Sequence, residues 1–197
     1  SADHGVAQVP EFMQENKLPA GRIYMGPVTG NINKALQEKY NIANIIVSDE
    51  NYQLHLNHPK LDSAKTNKKE VIQWIVESLS TEPGVSRAFA LDELNNVPLP
   101  SMVRKMLNNG YNPLRNGEIQ IILLPHYIDA YSATGTTHGL WNPYDSHIPL
   151  LWYGWGIKQG KTNKETYMTD IAPTLAAMLR IQMPSGCVGH VIEEVMK

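Results

Sequence analysis

Short apolar runs alternate along this chain with segments in which apolar residues recur every three or four positions. The first pattern is typical of strands, and the second is typical of helices that bury one face. The clearest helix is predicted over residues 68–80, with Thr66 or Asn67 as the N-cap. Its apolar positions fall on one face: Val71, Ile72, Ile75, Val76 and Leu79. The alternation indicates the α/β or α+β class.

The remaining elements are predicted from the same two patterns. Strands are predicted over residues 23–25, 45–47, 85–91, 118–124 and 148–153, and helices over residues 33–40, 98–107 and 169–179. The strand at 148–153 is expected to be buried, because it is almost wholly apolar and ends at Gly154.

Composition and charge exclude several classes of protein. The 197 residues are 42% hydrophobic and 18% charged, which is a globular balance and not that of a disordered chain. The formal net charge of −2 gives no basic excess for nucleic acid or for an anionic membrane surface. No apolar run is long enough to span a bilayer.

The first candidate for chemistry is the Asp3-His4-Gly5 sequence near the start of the chain. A carboxylate and an imidazole suit Zn²⁺. Adjacent residues of a regular strand point to opposite faces, so both can reach one metal only in a turn or at a strand end, which Gly5 permits. Taken alone, the pair is a weak signal, and a polar terminal segment that binds nothing is the commoner case.

The second candidate is a loop rich in Thr, Gly and His that contains His138, Asp145 and His147. His147 precedes an apolar run, so it is expected to need a partner, which would be a metal ion or a backbone carbonyl. Asp145 would orient a metal ligand as an outer carboxylate, or it would cap a turn. The residues alone leave these alternatives open.

Together these segments resemble the alkaline phosphatase superfamily. Residues 1–7 (SADHGVA) are similar to its metal-binding Asp-His motif, and residues 135–139 (GTTHG) with 144–150 (YDSHIPL) are similar to its later histidine segment. Residues 170–176 (DIAPTLA) resemble a helix shared with sulfatases and with nucleotide pyrophosphatase/phosphodiesterases. Residues 114–119 (LRNGEI) resemble a strand entry of the phosphate-irrepressible, monomeric bacterial enzymes.

The resemblance implies a phosphoester hydrolase with two zinc ions and a covalent phospho-Thr or phospho-Ser step. Asp3 and His4 match ligands of the zinc that serves the nucleophile, and His147 matches a ligand of the other zinc. His138 matches a histidine near the site, and Asp145 is a neighbouring carboxylate. The nucleophile and the remaining ligands are expected in chain preceding residue 1. By itself this chain is therefore expected to bind zinc weakly or not at all and to be inactive.

The implied fold is the C-terminal part of an alkaline-phosphatase-like domain, with a mostly parallel sheet and flanking helices. Residues 1–66 and 126–197 would form the core portion, and residues 67–125 an inserted α+β lobe. Absent strands would leave an exposed sheet edge, so a homo-oligomer through that edge is expected. The substrate would be a phosphate ester, and the location would be periplasmic or secreted.

Two other interpretations remain open at this point. The first is a non-catalytic α/β binding or interaction module in which Asp3, His4 and His147 are incidental. The second is a sulfatase, a phosphodiesterase or a phosphoglycerate-mutase-like relative that shares the metal scaffold but acts on another substrate. Convergence of the candidate ligands on one cleft would favour the phosphatase interpretation over the first.

Overall fold

The computed structural model describes residues 1–132 and 134–196, which form two compact units. Residues 3–148 make the larger unit, and residues 1–2 together with the chain from Pro149 onward make the smaller one. All the strands of the described chain, and all the α-helices but one, lie in the larger unit.

Among its described residues, the larger unit contains six α-helices and six strands. The helices are α1 (Pro10–Glu15), α2 (Met25–Tyr40), α3 (His58–Ser63), α4 (Lys68–Leu79), α5 (Ser101–Gly110) and α6 (Pro143–Ser146). The strands are β1 (Gly21–Ile23), β2 (Ile46–Ser48), β3 (Gln53–Leu56), β4 (Val85–Ala90), β5 (Ile119–Leu123) and β6 (Tyr127–Asp129).

These strands form two sheets. Strands β2, β3, β5 and β4 pair in that order, each antiparallel to its neighbour, while β1 and β6 pair in parallel. With the helices packed around them, the expected α/β class is confirmed. The predicted division into a core portion and a lobe at residues 67–125 stays a prediction. In the structure the four-stranded sheet takes strands from both parts.

The central strand β5 is buried on both faces, which explains its continuous run of apolar residues. Ile119, Ile121 and Leu123 join a large cluster with α2, α3 and α4. Ile122 joins a second cluster with Phe89 of β4 and Val103 of α5. The side chains alternate between the two faces as the strand period requires.

Helix α4 confirms the clearest prediction from the sequence. It runs over Lys68–Leu79, its N-cap is Asn67, and the Asn67 side chain accepts a hydrogen bond from the Lys69 N–H at 3.1 Å. Helix α2 is much longer than the predicted 33–40, because Pro27 lies in its first turn, where the missing N–H costs no helical hydrogen bond.

The segment at residues 148–153 differs from expectation. Residues 148–153, predicted as a buried strand, have no regular structure, and Leu151 and Tyr153 are 81% and 103% exposed. Within the residues that the structure describes, no neighbouring strand pairs with them, so nothing holds them in a sheet. His55 lies in β3 and His58 at the start of α3, where His58 Nε2 lies 2.6 Å from Glu118 Oε1.

The ring of Tyr127 occupies space that two glycines leave open. A Cβ atom at Gly21 or at Gly84 would overlap this ring. Gly84 also has a φ of +92°, a backbone conformation that favours glycine. The turn that follows α4 and the start of β1 are therefore both fitted to one aromatic side chain.

In the smaller unit, helix α7 (Ile171–Leu179) follows a turn organised by Asp170. The Asp170 carboxylate accepts hydrogen bonds from the N–H groups of Tyr167 and His190, both at 2.8 Å. Thr174 is fully buried and its hydroxyl accepts from the Ile192 N–H at 2.9 Å. None of the helices in the described part of the chain combines the length and apolar character needed to cross a membrane.

Leu54 and Leu114 offer a matched test of the core, because the first is 0% exposed and the second 93% exposed. We expect Leu54→Ala to lower the free energy of unfolding by roughly 2–5 kcal/mol, since it leaves a cavity beneath the four-stranded sheet. Leu114→Ala should change it by less than about 0.5 kcal/mol. Urea unfolding followed by circular dichroism measures both, and equal effects would contradict this core assignment.

Candidate functional site

The segment that begins at Asp3 lies beside the loop that ends at Asp145. The Gly5 N–H donates to the Asp145 carbonyl at 2.7 Å, and the Ala7 N–H donates to the Thr137 carbonyl at 3.3 Å. The Thr136 hydroxyl donates to the Ala7 carbonyl at 2.6 Å. These bonds bring together two parts of the sequence that are about 130–140 residues apart.

Gly5 is required by this close approach. A Cβ atom at this position would overlap the carbonyl oxygen of Tyr144. Any larger residue would push the Asp3-His4 segment away from the loop. The glycine therefore serves contact between two backbones, in addition to the turn that the sequence suggested.

The ring of His4 is held by its own local backbone. His4 Nδ1 lies 2.7 Å from the Gly5 carbonyl oxygen, and a carbonyl accepts only, so Nδ1 carries the hydrogen. In the neutral ring Nε2 is then left with a lone pair, and it lies 3.6 Å from Asp3 Oδ2. Hydrogen bonding to backbone N–H groups, first its own, and the neighbouring His4 lower the pKa of Asp3.

His138 stacks directly on His4. The ring centroids are 3.4 Å apart and the planes differ by 12°. His138 is exposed, and the glycines at 135 and 139 on either side of it both have positive φ angles. The loop thus turns at both ends to place this imidazole against the first one.

Asp145 lies beneath the histidine pair and is only 5% exposed. Its Oδ2 accepts a hydrogen bond from the Leu140 N–H at 3.0 Å, while its Oδ1 is buried without a hydrogen-bond partner among the described residues. Burial raises the pKa of Asp145, and the Leu140 hydrogen bond and the nearby His138 and His4 oppose that shift.

The structure therefore brings Asp3, His4, His138 and Asp145 together. His147 is exposed at the end of α6, where its N–H donates to the Pro143 carbonyl at 2.9 Å. Within the described residues its ring makes no hydrogen bond or ring contact with these four. The sequence signal for His138 is its place between two glycines, whereas the apolar run after His147 drew attention to the other histidine.

An ion pair that the sequence did not reveal supports the loop. Arg22 of β1 donates from Nε and Nη2 to the two carboxylate oxygens of Glu11 in α1, each at 2.8 Å. Arg22 Nη2 also donates to the Gly135 carbonyl at 2.9 Å. The Arg22 side chain is 6% exposed. It therefore links α1 and β1 to the start of the loop that carries His138.

The donor atoms suit zinc, but they do not complete a site. A carboxylate oxygen and imidazole nitrogens are the ligands that Zn²⁺ prefers, and the Gly5 carbonyl orients His4 as an outer partner should. Within residues 1–132 and 134–196, no group of three or more His, Cys, Asp or Glu side chains is arranged to hold a metal ion. The chain fits the role of supplying part of a ligand set.

Curated relatives match this chain from end to end. Alkaline phosphatase PafA of Elizabethkingia meningoseptica is 43% identical over 196 residues, which are 100% of this chain and 36% of that protein. A protein named calcium-transporting ATPase from Myroides odoratus and alkaline phosphatase PhoV of Synechococcus elongatus are each 38% identical over 198 residues. Both alignments cover 100% of this chain, with 36% and 35% of the relatives.

The solved structures agree with the sequence relatives. The crystal structure of wild-type alkaline phosphatase PafA superposes with a TM-score of 0.92 at 43% identity, covering 100% of this chain and 37% of that one. No protein-family model matches the chain. The chain thus spans about a third of the length of the relatives it matches. The resemblance to alkaline phosphatases stated from the sequence is confirmed.

The Glu11–Arg22 pair predicts a loss of stability in acid. Arg22, by its hydrogen bonds, lowers the pKa of Glu11 from 4.5 to about 2 in the folded chain. This stabilisation is fully present above pH 4.5 and is lost as the pH falls towards 2, because protonation then removes the charge in the folded state too. Glu11→Gln should lower the stability at neutral pH, with a difference from wild type that vanishes towards pH 2.

Urea unfolding across a pH series measures this difference. Glu15→Gln, on the same helix and exposed, is the control and should follow the wild-type curve. A Glu11→Gln deficit that does not change with pH would contradict the role given to the ion pair.

Proposed function

The chain is alkaline phosphatase-like along its whole length, and on this premise we propose that it supplies part of the active site of a zinc-dependent phosphoester hydrolase. The observation that carries the proposal is the meeting of the Asp3-His4 segment with His138. The two segments that first suggested a phosphatase are distant in sequence and adjacent in the structure.

Each candidate ligand has its own part in this proposal. Asp3 would contribute a carboxylate oxygen and His4 would contribute Nε2 to the zinc on the nucleophile side. For the other zinc we propose His138, in contact with His4, in place of His147, the residue expected from the sequence.

A bound zinc ion would act as a Lewis acid on the phosphoryl group. The chain's own residues fix the donors in place: Gly5 permits the close approach, its carbonyl sets the His4 tautomer, and Arg22 supports the loop of His138. The Thr or Ser nucleophile and the other ligands would come from the remaining two-thirds of such a protein.

The same resemblance supports two wider proposals. We place the whole protein in the periplasm or outside the cell, as the family resemblance implies. We also propose that copies of this chain associate through an edge of the four-stranded sheet, where β2 and β4 are the outer strands. Light scattering over a range of concentrations tests the association.

Zinc binding tests the ligand assignment. We expect weak binding by the chain, which His4→Ala and His138→Ala each reduce at least about 10-fold, since even a residue that only orients a ligand is worth that much. His147→Ala is the matched control, being an exposed histidine near the same loop, and should bind like wild type. Loss of binding in His147→Ala but not in His138→Ala would restore the assignment made from the sequence.

Phosphatase activity gives a second prediction. Because the nucleophile is proposed to lie in the remaining chain, residues 1–197 alone should not hydrolyse p-nitrophenyl phosphate with added zinc. The whole protein should hydrolyse it in a zinc-dependent manner. Saturable turnover by this chain alone would overturn the proposal that it holds only part of the site.

The substrate class is separated by the same assay on the whole protein. We propose phosphate monoesters, from the similarity of residues 114–119 and the names of the phosphatase relatives. The name of the Myroides odoratus relative makes ATP the second candidate, and bis-p-nitrophenyl phosphate reports diesterase activity. A higher kcat/KM for ATP or for the diester would reassign the substrate.

A further inference from the structure

One carboxylate oxygen of Asp145 accepts a hydrogen bond, and the other has no partner among the described residues. Oδ2 accepts the Leu140 N–H at 3.0 Å, whereas Oδ1 is buried and has no hydrogen-bond partner within the described residues. A buried carboxylate oxygen without a partner is costly, so its position in a folded chain needs an explanation. The main chain of the same residue is also fixed, because its carbonyl accepts the Gly5 N–H.

The hydrogen-bond donors near Asp145 limit which group can donate to its Oδ1. The Leu140 and Gly5 N–H groups are already bonded to Asp145, and His4 Nδ1 is bonded to the Gly5 carbonyl. The ring of His138 lies 3.4 Å from that of His4 and interacts favourably with the Asp145 charge. No hydrogen bond engages either of its nitrogens in the described part of the chain.

We propose that Asp145 is a positioning residue whose Oδ1 accepts the N–H of the His138 ring. A neutral imidazole carries one N–H and one lone pair, so this bond leaves the opposite nitrogen as the donor towards a metal. Leu140, whose N–H bonds to Oδ2, is two residues from His138, so the same stretch of the loop carries both partners of Asp145. This inference rests on the proposed function for the metal, but the Asp145–His138 bond itself does not depend on it.

Asp170 is also buried, but its carboxylate is hydrogen-bonded differently from that of Asp145. Both Asp170 oxygens accept backbone N–H groups, from Tyr167 and His190, which is what a purely structural carboxylate needs. Asp145 spends only one oxygen in this way, although it is equally buried, at 5% against 6% exposed. The spare oxygen marks Asp145 as the carboxylate with a further role.

The test compares Asp145→Asn with Asp170→Asn. An asparagine at 145 can keep the Leu140 bond through its amide oxygen, while its NH₂ group replaces the free acceptor. The ¹⁵N shifts of the imidazole, read in the metal-free chain across a pH series, should show one neutral His138 tautomer in wild type and a mixture in Asp145→Asn. Zinc affinity should fall by roughly 10- to 100-fold in Asp145→Asn.

Asp170→Asn is the control for a merely structural effect. It should lower the melting temperature yet leave the His138 tautomer and the zinc affinity unchanged. Tyr52→Phe tests the competing donor, because burial and then the charges of Asp129 and Asp145 raise the pKa of Tyr52. Tyr52→Phe should leave the single His138 tautomer of wild type unchanged, and a mixture of tautomers in this variant would show that Asp145 does not fix the ring and would overturn the proposal.

The proposed metal site and the proposed Asp145–His138 bond are overturned by different results. If His138→Ala binds zinc like wild type, the metal site assigned to His138 is wrong, and the tautomer measurement still decides the Asp145 bond. If wild type binds zinc but His138 is already a mixture of tautomers, the positioning role is wrong even when Asp145→Asn does not fold. A single tautomer that persists in a folded Asp145→Asn variant also overturns it.

Discussion

The site depends on one close backbone contact, between Gly5 and the turn at Tyr144 and Asp145. The Gly5 N–H donates to the Asp145 carbonyl at 2.7 Å, and only a residue without a side chain fits against Tyr144. This contact closes a loop of about 140 residues, whose entropic cost the buried sheet between them must offset. The stacking of the imidazoles and the short distance between the candidate ligands both require this contact, because it holds the two segments side by side.

Local signals in the sequence are sufficient for helix α4, which buries one face, and for strand β5, which is buried on both. Helix α4 and strand β5 follow from hydrophobic spacing, because their side chains pack on neighbours at the helical and strand periods. The segment at 148–153 did not, because an apolar run forms a strand only where another strand supplies hydrogen bonds. The predicted range of helix α2 begins too late, since the glycine and proline near its start are more typical of a turn.

The candidate site was predictable in its residue types and less so in its pairing. Asp3, His4, His138 and Asp145 all stood out in the sequence as metal-binding or neighbouring groups, and the structure brings them together. Which histidine contacts His4 depends on the backbone turns at the glycines that flank His138. The spacing of apolar residues does not predict those turns. Sequence patterns do not predict the Arg22–Glu11 pair either. Its two residues lie in different elements, β1 and α1, and Arg22 also donates to the carbonyl of Gly135, which is distant in sequence.

The aromatic ring of Tyr127 limits which substitutions the chain can accept. It fills the space that Gly21 and Gly84 leave open, so neither glycine can acquire a methyl group while the ring stays in place. Drift at these three positions is therefore coupled: a smaller residue at 127 must come before, or together with, any side chain at 21 or 84. Aligned descendants of this chain should record that order as correlated change.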